Sequence, residues 1–144
     1  MQPSLTVPAT LDSLSAIAEY VITATAAAEL DKKATYHCRL AVDEIATNII
    51  MYGYPQAGYE GVLYLQADID KQALTISIED TGVAYNPTQT QLPEEDELKL
   101  PLEERAIGGL GIYLALYEVD KFFYERVGEK NRNIFVMYRT QSDH

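Results

Sequence analysis

Apolar residues recur along this chain at two spacings, and each spacing predicts a different kind of element. Two stretches, residues 12–29 and 31–52, place apolar side chains every three or four residues, which is the period of an amphipathic helix. The stripe of the first contains Leu14, Ile17, Ala18, Val21, Ile22, Thr25 and Ala28, and that of the second contains Cys38, Ala41, Val42, Ile45 and Ile49. Both stretches are therefore predicted to be helices that bury one face.

Alternation of apolar and polar residues predicts strands elsewhere. The alternating segments are residues 4–10, 62–69, 74–80, 121–127 and 132–140, of which the first is a weak signal typical of an edge strand. Gly128 lies where a hairpin turn would join the last two strands. Residues 53–61, rich in glycine with one proline, are predicted to be a turn.

A segment without clear periodicity, residues 81–106, follows the third strand. Within it, residues 92–99 have the composition of a short helix, and a further helix is predicted at about 109–119. A connection of this length in a compact domain is usually functional or disordered. The element order predicts an α+β fold, a two-layer α/β sandwich in which helices cover one face of a mixed, mainly antiparallel sheet. The 144 residues are predicted to form a single domain, residues 1–144.

Composition narrows the class of protein. The chain is 47% apolar and 23% charged, which describes an ordinary globular domain. It shows neither a run of about 20 apolar residues nor a signal peptide, so no membrane association is expected. The single cysteine, Cys38, excludes an internal disulfide and favours a cytoplasmic location.

The charge balance restricts the ligands. The chain has 22 acidic and 11 basic residues, a formal net charge of −11. This argues against nucleic acid as the main ligand, because phosphate backbones are bound by clustered Lys and Arg. A polyphosphate ligand would have to be held by a local device such as backbone amides or a metal ion.

The second predicted helix carries two polar residues, Glu44 and Asn48, beside its core stripe. They lie about 40° apart around the helix axis, and asparagine is a poor residue for a helix interior. One interpretation is a polar flank of an ordinary helix. The other is a carboxylate base next to an oxygen ligand for Mg²⁺, for which one asparagine suffices because Mg²⁺ keeps water and phosphate ligands.

Asp80 interrupts the apolar face of the third strand. It continues the side of Ile76 and Ile78, so alternation aims its carboxylate into the buried layer. A buried charge needs hydrogen-bond donors. Either Asp80 caps its own turn, or it accepts a hydrogen bond from an amine-bearing ligand such as adenine, with Gly82 allowing a flat ring close to the backbone.

Three glycines precede the last predicted helix in IGGLGIYLA, residues 107–115. Glycine disfavours helix by about 1 kcal/mol relative to alanine, so this cost needs a reason. The turn is either a tight corner or an anion site in which bare amides hold phosphate. It matches neither a P-loop, since no Lys-Ser or Lys-Thr follows, nor a dinucleotide fingerprint, since no strand directly precedes it.

The order of these motifs resembles the ATP-binding Bergerat fold of the GHKL superfamily, the histidine kinase-like ATPases. LAVDEIATNIIMYGY (residues 40–54) is similar to its first motif, IEDTGVAYNP (78–87) to its second, and IGGLGIYLA (107–115) to its glycine motif. Spacing and length resemble the anti-sigma-factor serine/threonine kinases of bacterial partner-switching systems. The resemblance covers roughly residues 5–140.

The resemblance, and not the residue patterns alone, implies individual roles. Glu44 would be the general base, Asn48 the Mg²⁺ ligand, Asp80 the adenine-reading carboxylate and Gly82 the glycine beside the base. Residues 83–107 would form the ATP lid. The phosphate-facing turn would consist of Gly108, Gly109, Leu110 and Gly111. The implied cofactors are ATP and Mg²⁺.

Some positions differ from the family pattern or fall outside it. Ala84, within the nucleotide-binding motif, stands where many members have a second glycine. The threonine often found on a late strand near the adenine is absent, and Asn131 or Asn133 takes its place. Arg105, at the end of the lid, is either a contact of the γ-phosphate or a surface partner of the neighbouring glutamates.

The resemblance implies phosphoryl transfer from ATP to a Ser or Thr of a separate protein. The implied acceptor is a STAS-domain anti-sigma antagonist, with a sigma factor and a second copy of the chain as further partners. One alternative is the catalytic domain of a histidine kinase, which we disfavour because the chain shows no segment carrying an acceptor histidine. Another is a nucleotide-dependent binding module without turnover, in which the acidic residues 93–104 either dock a basic partner or are simply solvated.

Overall fold

In the part of the chain that the structure describes, five strands form one antiparallel sheet. They are β1 (Leu5–Pro8), β2 (Val62–Ile69), β3 (Ala73–Asp80), β4 (Lys121–Val127) and β5 (Lys130–Tyr138). The computed structural model describes residues 3–87 and 115–139. The strand order is β1-β2-β3-β5-β4, and every pairing between these strands is antiparallel. The five predicted strands are confirmed, with β1 at an edge, and Gly128 has the positive φ of 63° that the β4–β5 turn requires.

Helices pack on one face of this sheet. A short 3₁₀ turn (Leu11–Ser13) leads into α1 (Leu14–Ala27), and α2 (Lys32–Asn48) begins after Asp31, whose carboxylate accepts a hydrogen bond from the Ala34 N–H over 2.8 Å. This N-cap satisfies one of the free amides at the start of the helix. The predicted α+β sandwich is therefore the observed architecture.

The core lies between the two layers. The predicted stripe of α2 is buried, and Cys38, Ala41 and Val42 are fully enclosed. From the sheet, the inward face contributes Leu63, Leu65, Leu74, Ile76, Ile78 and Phe135, each 0% exposed. No helix among residues 3–87 and 115–139 combines the length and apolar character that a membrane span requires.

The end of the second helix differs from its prediction. After α2 the chain makes one π-helical turn (Ile49–Gly53) and continues as α3 (Tyr54–Ala57), so residues 54–57 are helical where a turn was predicted. Pro55 has no amide hydrogen and would clash with the carbonyl one turn earlier in a regular helix, and the wider π turn lies just before it. Gly58, with φ of 83°, then ends the helix.

Several predictions concern parts of the chain that lie outside the described residues. They include the short helix at 92–99, the glycine turn at 107–111 and most of the ATP lid at 83–107. Of the helix predicted at 109–119, residues 115–119 are described, and residues 115–117 among them are helical.

Candidate functional site

Asp80 ends β3 with its side chain on the inward face, as the alternation predicted. It is 4% exposed, and its Oδ1 accepts hydrogen bonds from the Gly82 N–H over 2.8 Å and from Asn131 Nδ2 over 2.9 Å. Burial raises the pKa of Asp80, while Asn131, the Gly82 amide and the nearby Arg126 oppose that rise. Both hydrogen bonds described here to this carboxylate end on Oδ1.

Asn131 connects Asp80 to the backbone that follows it. The two residues face each other in the β3–β5 register. Besides Asp80, Nδ2 of Asn131 donates to the carbonyl oxygens of Gly82 at 3.1 Å and Val83 at 3.3 Å. Its Oδ1 accepts from the Tyr124 hydroxyl and, over 3.0 Å, from Arg126 Nη1. The β4–β5 hairpin therefore holds both the carboxylate and the turn that leaves β3.

Asn133 lies two residues further along β5 on the same inward face, opposite Ile78. It is 3% exposed, and its Oδ1 is buried without a hydrogen-bond partner among the described residues. The sequence left open whether Asn131 or Asn133 stands near the base. In the structure their environments differ, because Asn131 is fully engaged by protein groups and the Asn133 carbonyl is not.

Gly82 is a glycine because two backbones meet there. A Cβ on Gly82 would lie 2.7 Å from the carbonyl carbon of Gly53 and 2.9 Å from its oxygen. The Val83 N–H donates to that same oxygen over 3.0 Å. This contact joins the end of β3 to the π turn after α2, and it was not predictable from the sequence.

Tyr54 reinforces the same junction. Its hydroxyl donates to the Val62 carbonyl over 2.6 Å and accepts from the Thr81 N–H over 2.9 Å. The ring is 3% exposed. One hydroxyl group thus connects the end of the helix to the start of β2 and to the end of β3.

Glu44 and Asn48 lie on the flank of α2, and both are half-buried, as predicted. Burial, with a smaller contribution from the neighbouring Asp43, raises the pKa of Glu44. A raised pKa moves a carboxylate towards the range that suits a general base near neutral pH. Asn48 is the last residue of α2, directly before the π turn, a distortion that occurs frequently at functional sites.

Two adjoining cavities meet at Asn48. The smaller, about 20 Å³, is lined by Ile45, Asn48, Ile49, Gly53, Asp80, Val83, Tyr85, Pro87, Asn131 and Asn133. The larger, about 320 Å³, is lined by Asn48, Tyr52, Gly53, Gln56, Val83, Ala84 and Tyr85. Val83 and Tyr85 line both spaces, so the segment that leaves β3 forms the wall between them. The inner space is large enough for about one water molecule.

A still larger cavity, about 490 Å³, opens elsewhere. It is lined mainly by residues of the opposite sheet face, among them Tyr64 and Glu79, which are direct neighbours across β2 and β3. Asp80 also borders it, but its side chain follows Ile78 into the inner layer. We therefore place the candidate site at the two smaller cavities, where the polar groups converge.

The structure brings together part of the predicted site. Asn48, Asp80, Ala84 and the asparagines of β5 line the two cavities, while Glu44, one helical turn before Asn48, is not among the described residues that line them. The remaining predicted residues, Arg105, Gly108, Gly109, Leu110 and Gly111, lie outside the described residues. The sequence analysis did not identify Gly53, Tyr124 or Arg126, because their roles depend on contacts between distant segments.

A family model described as the histidine kinase-like ATPase domain matches residues 7–138. The chain belongs to this family. The match covers the whole sheet except the start of β1, and it contains Glu44, Asn48 and Asp80. The predicted GHKL superfamily is thereby confirmed, whereas membership of the anti-sigma-factor kinase branch stays a prediction.

A solved histidine kinase domain shares the fold. The chain is similar to the histidine kinase domain of the blue-light activated histidine kinase from Erythrobacter litoralis EL346, with a TM-score of 0.53 and 12% identity over 92% of this chain. It spans 62% of that domain's length. It also matches the Acinetobacter baumannii histidine kinase AdeS, with a TM-score of 0.47 and 15% identity over 97% of this chain and 70% of the other. A search of curated protein sequences found no match.

Proposed function

We propose that this histidine kinase-like ATPase domain binds ATP at the Asp80 cavity and transfers its γ-phosphoryl group to a Ser or Thr hydroxyl of a separate protein. The observation that carries the proposal is the buried carboxylate of Asp80, which is fixed through Oδ1 and lines the inner cavity. An ionised carboxylate accepts a hydrogen bond from an amine well, and such charge-assisted bonds contribute about 1.5–3 kcal/mol. Adenine has an amino group that suits this position.

The donors and acceptors around the cavity fit adenine in a second respect. Asn133 adds a buried carbonyl oxygen that needs a donor. Asn48 lies where the inner cavity meets the larger cavity. The inner cavity, about 20 Å³, has room for about one water molecule but not for a purine ring. Binding therefore requires Val83, Tyr85 and Pro87 to move outwards from Asp80.

The phosphates and a metal ion would occupy the outer side of the site. Asn48 offers the type of hard oxygen atom that Mg²⁺ accepts in addition to phosphate and water oxygens. When bound, Mg²⁺ supplies positive charge next to the phosphates, which a chain of net charge −11 otherwise lacks. Glu44, one helical turn from Asn48, would accept the proton of the attacking hydroxyl.

Titration calorimetry of the purified chain with ATP in Mg²⁺ tests the binding step. We expect the unaltered chain to bind ATP saturably and Asp80→Ala to bind it more weakly. Absence of binding by protein that is shown to be folded by circular dichroism would overturn the proposal.

The transfer step is tested with labelled ATP and a STAS-domain protein as the acceptor. Glu44→Gln should bind ATP as tightly as the unaltered chain and lose about 100-fold or more of the transfer rate. Asp43→Asn is the matched control, since it removes the adjacent negative charge and keeps Glu44. Equal transfer rates for Glu44→Gln and the unaltered chain would contradict the role of Glu44 as base.

Stability of the transferred phosphate to acid separates the two kinase alternatives. A phosphoserine or phosphothreonine survives acid, whereas a phosphohistidine is hydrolysed. The similar domain from Erythrobacter litoralis belongs to a histidine kinase, but that similarity shows the fold alone. An acid-labile product on a partner protein would replace our proposal with histidine phosphorylation in trans.

A binding module without turnover is the remaining alternative. In that case ATP orders the segment after β3 and thereby creates a surface for a partner, for which a sigma factor is the candidate. ATP-dependent co-elution of the two proteins without any transferred label would favour this function over the kinase.

A further inference from the structure

A row of three side chains runs across the end of the sheet, from β4 to the candidate site. Arg126 on β4 is paired with Asn131 on β5, and Asn131 is paired with Asp80 on β3. Arg126 Nη1 donates to Asn131 Oδ1 over 3.0 Å, and Asn131 Nδ2 donates to Asp80 Oδ1 over 2.9 Å. One amide group therefore connects a guanidinium group on β4 to the buried carboxylate.

The orientation of the Asn131 amide depends on the donors at its oxygen. The Tyr124 hydroxyl and Arg126 both donate to Oδ1, while Nδ2 contacts the Asp80 carboxylate and two backbone carbonyls after β3. A rotated amide would turn its oxygen towards these acceptors and its N–H groups towards the two donors. Arg126 therefore stabilises the orientation in which Asn131 supports Asp80.

Arg126 differs from the surface arginine of the same hairpin. Arg132, on the opposite face of the sheet, forms ion pairs with Glu125 over 2.6 Å and with Glu79 over 3.6 Å. Arg126 is exposed and forms no ion pair in the part of the chain that the structure describes. Its Nη1 also donates to the Gly82 carbonyl over 3.3 Å. The contacts of Arg126 are therefore with the candidate site.

The charge of Arg126 also acts on Asp80. Burial raises the pKa of this carboxyl, and the positive charge of Arg126 is one of the effects that oppose the rise. Among the described residues, those that α2 and the π turn place in the inner cavity are uncharged, and Glu44 is not one of them. The other titratable groups near Asp80 are the phenols Tyr85 and Tyr124 and, at the cavity of the opposite sheet face, Tyr54, Tyr64, Glu79 and Lys130.

We propose that Arg126 is a positioning residue, which holds the Asn131 amide towards Asp80 and thereby sets the lowest pH at which the site binds ATP. This inference rests on the proposed function and adds to it a residue that acts through Asn131. An ionised carboxylate is the stronger hydrogen-bond acceptor, so protonation of Asp80 weakens binding. Without the charge of Arg126 the pKa of Asp80 is higher, and affinity is lost at a higher pH as the solution is acidified.

The test measures the Kd for ATP in Mg²⁺ by calorimetry from about pH 6 to about pH 8. It compares Arg126→Met with Arg132→Met, which removes the same charge on the opposite sheet face. The ratio of the two Kd values cancels the titration of the ATP phosphates, which affects both variants alike. We expect this ratio to be about 3- to 10-fold larger at the lower pH than at the higher. Arg126→Lys, which keeps the charge, should recover most of the affinity at the lower pH.

A second measurement does not require ATP. Carbon-13 NMR of the Asp80 carboxyl, assigned by its loss in Asp80→Asn, follows protonation of Asp80 in the ligand-free protein. The midpoint of this titration should move to higher pH in Arg126→Met and stay unchanged in Arg132→Met. A residue that only stabilised the fold would lower the midpoint of thermal unfolding without moving the Asp80 titration.

Two results would overturn the inference. One is a Kd ratio that is the same at every pH, and the other is an Asp80 titration that Arg126→Met leaves unchanged. Arg126→Gln repeats both measurements if the methionine variant fails to fold. If the unaltered chain binds ATP and the ratio does not change with pH, only this inference fails. Absence of ATP binding by the unaltered, folded chain removes the proposed function, and the NMR titration still decides whether Arg126 acts on Asp80.

Discussion

Asn131 donates a 2.9 Å hydrogen bond to the same Asp80 oxygen that accepts the Gly82 amide. The same Nδ2 group also contacts the carbonyls of Gly82 and Val83. Asn131 therefore holds both the Asp80 carboxylate and the first residues after β3 in position. If this segment moves to admit ATP, as proposed, the hydrogen bonds that orient Asp80 must rearrange with it.

Removing the charge of Asp80 should stabilise the ligand-free protein at neutral pH. Burial raises the pKa of Asp80, so the folded state holds its proton more tightly than the unfolded state. The stability that the protonated Asp80 carboxyl contributes is fully present below the ordinary aspartate pKa. It is lost as the pH rises through the raised pKa of the folded state. Asp80→Asn keeps an Oδ1 acceptor for both donors, and urea unfolding at about pH 7 should show it to be at least as stable as the unaltered chain.

Urea unfolding at several pH values tests whether burial of the Asp80 charge causes this stability difference. The advantage of Asp80→Asn should shrink as the pH is lowered to about 4, where the unaltered carboxyl becomes protonated. Asp68→Asn, on an exposed position of β2, serves as the control for loss of one surface charge. A stability difference that does not change with pH would contradict the assigned cause.

The same substitution should weaken ATP binding. Losing a charge-assisted hydrogen bond of about 1.5–3 kcal/mol corresponds to a rise in Kd of roughly 10- to 150-fold. Calorimetry at about pH 7 measures this directly. Unchanged affinity in Asp80→Asn would remove Asp80 from the base-binding site.

Gly82→Ala should unfold more easily because its methyl group would meet backbone atoms. The new carbon would lie 2.7 Å from the carbonyl carbon of Gly53, and backbone cannot rotate away as a side chain can. We expect a loss of about 1–3 kcal/mol in the free energy of unfolding, measured by urea denaturation. In Gly53→Ala, the control, the nearest contact is an ordinary 3.5 Å to a side-chain carbon of Ile49. That variant should be neutral or more stable, since alanine favours helix.

The Tyr54 hydroxyl should contribute measurably to stability. Tyr54→Phe leaves the Thr81 N–H and the Val62 carbonyl without their partner, at a cost of about 1–3 kcal/mol. Tyr36→Phe changes the same group at an exposed position and should have little effect. If the two variants unfold at the same urea concentration, the hydroxyl does not fasten the junction.

Cys38 should report unfolding through its chemical reactivity. Its side chain is 0% exposed, and burial raises the pKa of the thiol from 9.0 to about 12. The reactive thiolate is then about a thousandfold rarer than in a free cysteine. Labelling by a thiol reagent should be slow in buffer and rapid in denaturant, and fast labelling of the native protein would contradict the burial of Cys38.

Much of the fold was predictable because its signals are local. Alternation in 74–80 and helical spacing in 31–52 depend only on which residues one face must bury, so β3 and α2 appeared close to their predicted places. Asp80 was identified for the same reason, since a charge on a buried face breaks the pattern.

Features that depend on contacts between distant segments were not predictable. The difference between Asn131 and Asn133 follows from the β3–β5 register, which places the first opposite Asp80 and the second opposite Ile78. The helical residues 54–57 were missed because Gly-Tyr-Pro is a typical turn sequence, and only the π turn lets the helix continue through it.

The π turn also determines which sequence lengths this region tolerates. The π turn takes up one residue more than an α turn, so deleting one residue from Ile49–Gly53 would leave a regular α turn directly before Pro55. The proline ring would then clash with the carbonyl one turn earlier, and the helix would break before Tyr54. Related sequences should accordingly exchange side chains freely within this stretch while rarely gaining or losing a position.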